Sequence, residues 1–174
     1  MAKRKNNDLR LVWDIILIVL SAVALISLFV GVIHSTQSLI GTSELWSATG
    51  GDLIKSAFAA EAKGLEGGAL SIYTLASIEE NAFVVGAFQW CYIVSMVAAA
   101  ACLVFSVLDM LNIRLTLFNK LCAIVLFLAS LATMIFGFVS AGKVAVGTGA
   151  VMFGLFLLIA GIAYAVLYFV KERE

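Results

Sequence analysis

The chain has 174 residues, of which 63% are hydrophobic and 13% charged, with 11 basic and 11 acidic side chains and a mean hydropathy of +1.11. A water-soluble domain of this length cannot hide so much apolar surface, and the charged share is about half the roughly 25% usual in globular proteins. A net charge of zero points to neither nucleic acid nor an anionic surface as a partner.

Four long, nearly uncharged runs account for most of the sequence, and each is long enough for a hydrocarbon core that takes about 20 apolar helical residues. The expected fold is all-α: an integral membrane four-helix transmembrane bundle forming a single membrane domain over 1–174. Its spans are expected at about 11–33, 82–108, 121–141 and 144–170. A small, mostly helical extracytoplasmic segment, 34–81, lies between the first two. Proline is absent, so no span is interrupted by a ring clash or a missing amide donor. The spans also do not fall into two similar halves, and both features count against a transporter built from repeats.

Lys3, Arg4, Lys5 and Arg10 precede the first apolar run. That run exceeds the roughly 7–15 residues of a signal-peptide core, so it is read as an uncleaved span. Asp14 lies four residues after Arg10, on the same helical face, and an ion pair near the headgroups is expected there.

The segment that follows begins HSTQSLIGTSELWSATGG, polar and rich in Ser, Thr and Gly. Asp52 is placed to cap a short helix over 53–63, which Gly64 stops. Leu53, Ile54, Ala57 and Phe58 share one side of that helix, a face suited to covering the bundle. Gly67 and Gly68 break the segment again. The run ALSIYTLASI fits a strand or a helix equally well, being too short for periodicity to decide. Ser77 and Glu80 have the spacing of a capping box for the second span, with Glu79 and Glu80 at the positive end of its dipole.

The second span carries a stripe of small residues, Cys91, Ser95, Ala98 or Ala99, Cys102 and Ser106, whose steps of three and four keep them on one face. Gln89 is expected to make an interhelical hydrogen bond, and Trp90 suits an interfacial belt. A short turn with Arg114 and Lys120 leads to the third span, where Ala123, Ser130 and Gly137 recur every seven residues beside Thr133 and Ser140. The fourth span repeats the pattern with Gly147, Gly154 and Gly161, and Ala150 between them. In lipid, small residues let helix backbones approach closely. The residues expected to serve helix packing or interaction are therefore Gly147, Ala150, Gly154, Gly161, Ser130, Gly137, Ser95 and Cys102.

Eight basic residues lie in the leader, the 109–120 turn and the tail, against three (Lys55, Lys63, Lys143) on the other side. The positive-inside rule then places both termini in the cytoplasm and segment 34–81 outside. Compact loops and the lack of exported cysteines point to a bacterial plasma membrane. The layout, with a large first outer loop containing Trp46, resembles the claudin-type tetraspan families. The loop lacks the Gly-Leu-Trp run and paired cysteines of those families and reads as helical where theirs forms a sheet, so the resemblance carries no function.

The inventory for chemistry is thin. The middle third of every span lacks ionisable residues, where a proton relay or ion-coupled carrier would need them. His34 is the single histidine and has no second ligand at useful spacing. The intramembrane serines have no activating base at matching depth. Cys91, Cys102 and Cys122 read as small hydrophobes. No catalytic residue, metal or cofactor is expected, and the protein is not expected to be an enzyme. The sequence is read as a structural or accessory subunit that packs against other membrane protein chains in the lipid bilayer, with no nucleic-acid partner. The second reading is a homo-oligomeric channel or transporter component for a small solute.

Overall fold

The structure is a computed structural model that describes residues 11–12, 14–19, 21–22, 25–26, 28–29, 31–38, 42–111, 113 and 116–140. These residues are mostly helical. The expected fourth span and its glycines lie outside them.

The helical residues of the first apolar run fall between Leu11 and Ile26, and Leu28 and Phe29 form a turn closed by amides bonded to Leu25 O and Ile26 O at 3.1 and 3.0 Å. Asp14, Leu17 and Ser21 are buried, and Leu25 and Leu28 pack against the core. Steps of three and four put all five on one helical face. Ile15, Ile16, Val19 and Ile26 are exposed. Asp14 therefore sits on the inward face of this helix; its expected partner Arg10 is outside the described residues.

The run does not continue as helix to residue 33. A strand, β1 (Gly31–Ser38), begins first and pairs antiparallel with β2 (Thr42–Thr49). Ser38 lies opposite Thr42, Ser35 opposite Trp46 and Gly31 opposite Thr49, with irregularities between Gly31 and Ile33 and between Ser35 and Thr36. This hairpin corrects the expected end of the first span and puts strands in the first part of the segment after it, whose remainder is largely helical. Its strands contain Val, Ile, Thr and Trp, which fit a pleated surface, and the only residues between them are Leu39, Ile40 and Gly41.

β2 runs directly into helix α1 (Gly50–Phe58). Thr49 is the N-cap. Its Oγ1 accepts from the Asp52 amide at 3.2 Å, and the Asp52 carboxylate accepts from the Thr49 amide at 2.9 Å. This reciprocal box satisfies amides that a helix start leaves open. Asp52 is thus the third residue of the helix rather than its cap. The helix also stops sooner than expected, at the extended Ala59. Gly64 instead holds a left-handed φ of 93° in the connection beyond. Nine residues are too few for a stable isolated helix, and α1 is held by burial of Gly50, Leu53 and Ser56.

Helix α2 (Gly67–Ser77) resolves the ambiguous run as helical. Ser71, Thr74 and Ser77 each donate a hydroxyl to a carbonyl of the same helix, at 3.1, 2.8 and 2.7 Å. Ser77 therefore closes α2 and does not cap the next helix. Only the extended Ile78 separates α2 from the long helix α3 (Glu79–Met110), which it N-caps without a side-chain bond. Helix α4 (Thr116–Ser140) returns antiparallel along α3. α3 and α4 cover the stretches expected as the second and third spans, each slightly longer than read, and among the described residues α3 alone is long and apolar enough to cross a membrane.

α3 is the shared strut. The hairpin's β2, α1 and α2 pack on one another and form a cap, with α1 and α2 against α3; α4 packs along α3. One buried cluster joins Ala48, Leu53 and Ile72 of the cap to Val85, Phe88, Tyr92 and Cys102 of α3 and Leu126 of α4.

Candidate functional site

The small-residue stripe of α3 faces inward. Ser95, Ala99, Cys102 and Ser106 are wholly buried, and Ala98 nearly so. On α4, Leu126, Ala129, Ser130 and Thr133 are buried on one face, again at steps of three and four. The two faces meet where Ser95 Oγ lies 3.3 Å from Thr133 Oγ1. Nearer the α3–α4 connection, the Phe105 and Phe118 rings stand 6.0 Å apart. Serine, alanine and threonine at the contact are small enough to let two helix backbones approach closely.

The hydroxyls of this interface are used locally. Ser95 donates to Cys91 O at 2.8 Å, Thr133 to Ala129 O at 2.8 Å and Ser130 to Phe127 O at 2.9 Å. Ser95 and Thr133 have one hydroxyl hydrogen each, so of their three contacts only two carry a proton at once. Ser106 Oγ is buried and has no hydrogen-bond partner among the described residues. Within the described residues no group of three or more His, Cys, Asp or Glu is placed to hold a metal. The three cysteines are free, Cys102 buried and Cys91 and Cys122 half-buried.

Of the residues expected to serve packing, Ser95, Cys102 and Ser130 are brought together in this interface. Gly137 lies on α4. Gly147, Ala150, Gly154 and Gly161 lie outside the described residues.

A second cluster joins the cap to the strut. Gln89, expected to bond another helix, donates from Nε2 to Ser56 Oγ of α1 at 2.7 Å, and Ser56 donates onward to Leu53 O at 2.9 Å. Both Gln89 and Ser56 are buried, so the amide and hydroxyl satisfy one another away from water. Beside them, Phe58 of α1 meets Trp90 of α3 edge to face, with centroids 5.4 Å apart and planes at 79°. Sequence reasoning found Gln89 but not Ser56 or Thr49. The Thr49-x-x-Asp52 spacing was the available signal for the helix start. The chain matches no known protein family, no curated protein and no solved structure.

Proposed function

We propose that this is a non-enzymatic integral membrane protein, a structural or accessory subunit that packs by small-residue helix faces into a larger membrane assembly. The observation that carries the reading is the contrast between the two sides of α3 and α4. Small and weakly polar residues are buried between them, while Trp90, Val94, Val97, Val104, Ile124, Val125, Leu128 and Ile135 are exposed. α3 is long and apolar enough to cross a membrane. A large outward apolar surface on such a helix suits lipid or another membrane chain.

The reading extends this to four spans, with both termini cytoplasmic and the cap outside, in a bacterial plasma membrane. The face of Gly147, Ala150, Gly154 and Gly161 repeats the small-residue pattern that packs α3 on α4 and is assigned to a partner helix. The channel reading draws on Ser95, Ser106, Ser130 and Thr133 as a weakly polar path. It is the less supported of the two, because those side chains are buried between packed helices and three of the four bond their own backbone.

The test compares the wild-type chain with Gly154→Leu after mild detergent extraction from the native membrane. Wild-type protein should resist alkaline extraction and migrate on a native gel at a mass well above one chain. The substituted protein should still insert but migrate as the smaller form. Release of the wild-type chain at alkaline pH would overturn the membrane reading. Unchanged migration of the Gly154→Leu protein would remove the interaction role of that face.

A further inference from the structure

We propose that the outer boundary of the bilayer crosses α3 at Trp90 and that the cap rests there on phospholipid headgroups, with Phe58 and Trp90 as its seating contact. The proposal builds on the membrane reading above and locates the surface within it.

The argument begins from length. α3 has 32 residues, or about 48 Å at 1.5 Å per residue, whereas the hydrocarbon of a bilayer is about 30 Å thick and takes about 20 helical residues. About a third of α3 therefore stands outside it. The surplus belongs to the end that begins with Glu79 and Glu80. The other end passes within a few residues into α4, flanked by Arg114 and Lys120, and cannot project far.

The packing marks where the surplus stops. The buried cluster that joins the cap to α3 includes Val85, Phe88 and Tyr92, and Gln89 Nε2 donates to Ser56 Oγ of the cap. Lys55, adjacent to Ser56, is exposed, as are Glu61, Lys63 and Glu66 in the connection that follows. Charged side chains need water or headgroups, so at the level of Gln89 the cap side of α3 is out of the hydrocarbon. Immediately below, residues 91–108 contain no charge, and the exposed row Val94, Val97, Val104 and Val107 continues the line of Trp90 down the helix.

α4 supplies a second ruler. Ser95 lies beside Thr133, so α4 runs beside the uncharged part of α3. The next charged residue along the chain is Lys143, and none stands between it and Lys120. Each helix thus carries an uncharged stretch of about the length a bilayer takes.

The residues at that level suit the place. Trp90 is 51% and Phe58 65% exposed, and they hold each other edge to face. An indole with an apolar body and a polar N–H is favoured where hydrocarbon meets headgroups. Above Trp90 the exposed row reaches only Phe83, whose ring rests 6.2 Å from that of Phe136.

The experiment uses the full chain in phosphatidylcholine vesicles, with Trp13→Phe and Trp46→Phe leaving Trp90 as the only tryptophan. Its fluorescence is quenched in turn by phosphatidylcholine spin-labelled at the headgroup, near the top of the acyl chain and near its end. Quenching by the two shallow labels should exceed that by the deep label about twofold, as for an interfacial tryptophan. A second chain, with Trp90→Phe and Val97→Trp added, should be quenched most by the deep label. If Trp90 is quenched most by the deep label, the boundary lies higher and the proposal fails. If Trp90 escapes all three labels while the tryptophan at 97 does not, protein rather than lipid covers the pair and the proposal also fails. If neither tryptophan meets a lipid label, the membrane reading itself is overturned.

Discussion

Gln89 Nε2 donates to Ser56 Oγ across 2.7 Å, and this buried bond helps tie a helix of the cap to the strut that carries α4. Replacing Gln89 by Leu removes the donor and leaves the Ser56 hydroxyl with its bond to Leu53 O. The loss should be about 1 kcal/mol, the net worth of one hydrogen bond. It should act locally: hydrogen exchange in α1 accelerates while that of α4 is unchanged. Equal acceleration in both helices would show that Gln89 supports the whole bundle instead.

Gly68 sits where α2 begins against β2. A Cβ there would lie 2.5 Å from Ser47 O and 2.7 Å from Ala48 Cα, and both are backbone atoms that cannot swing aside. Gly68→Ala should therefore destabilise by about 1–3 kcal/mol, the usual cost of overpacking. Gly86, inside α3, has nothing within 4 Å of such a Cβ, and its change to Ala should be neutral or stabilise by about 0.5–1 kcal/mol. Thermal unfolding in one detergent ranks the two variants, and the opposite order would refute the packing of α2 on β2.

Thr49 and Asp52 form a reciprocal capping box. Removing either side chain by alanine should cost about 1 kcal/mol. The double substitution should cost less than the sum of the singles, because the two bonds are coupled. A double-mutant cycle on the unfolding free energy measures this, and strict additivity would contradict the box.

At the interface of α3 and α4, Ser95→Ala should be mild. Ser95 and Thr133 both retain bonds to backbone carbonyls, and such pairs in membranes couple by about 0.6 kcal/mol on average. Ser95→Leu adds volume at a wholly buried position and should separate the helices, at about 1–3 kcal/mol. Resistance to unfolding in mixed detergent distinguishes the two, and a harmless Ser95→Leu would mean the faces do not pack.

The long helices were readable because a buried or lipid-facing helix states its period over many turns. Ser95, Cys102 and Ser106 repeat at steps that leave one inward face, and all three are buried. The segment before them was harder to read. Its two strands are polar and only eight residues long, so no hydrophobic alternation advertises them. The three-residue gap ending in Gly41 was the remaining hairpin signal. Ser77 misled for a physical reason. A hydroxyl at a helix junction can cap the helix ahead or bond the one behind, and Ser77 donates to Thr74 O, a choice that depends on the turn at Ile78. Gln89 was legible as a hydrogen-bonding residue, but its partner Ser56 lies 33 positions away, beyond any local pattern. The glycine face from Gly147 to Gly161 remains a reading of spacing alone.

The most direct test of the central claim is native mass spectrometry of the protein gently extracted from its own membrane. The account predicts a fixed ratio between this chain and a different polypeptide, lost in the Gly154→Leu variant. A ladder made only of this chain, single or multiple, would contradict the accessory-subunit reading; a closed ring of copies would favour the channel in its place.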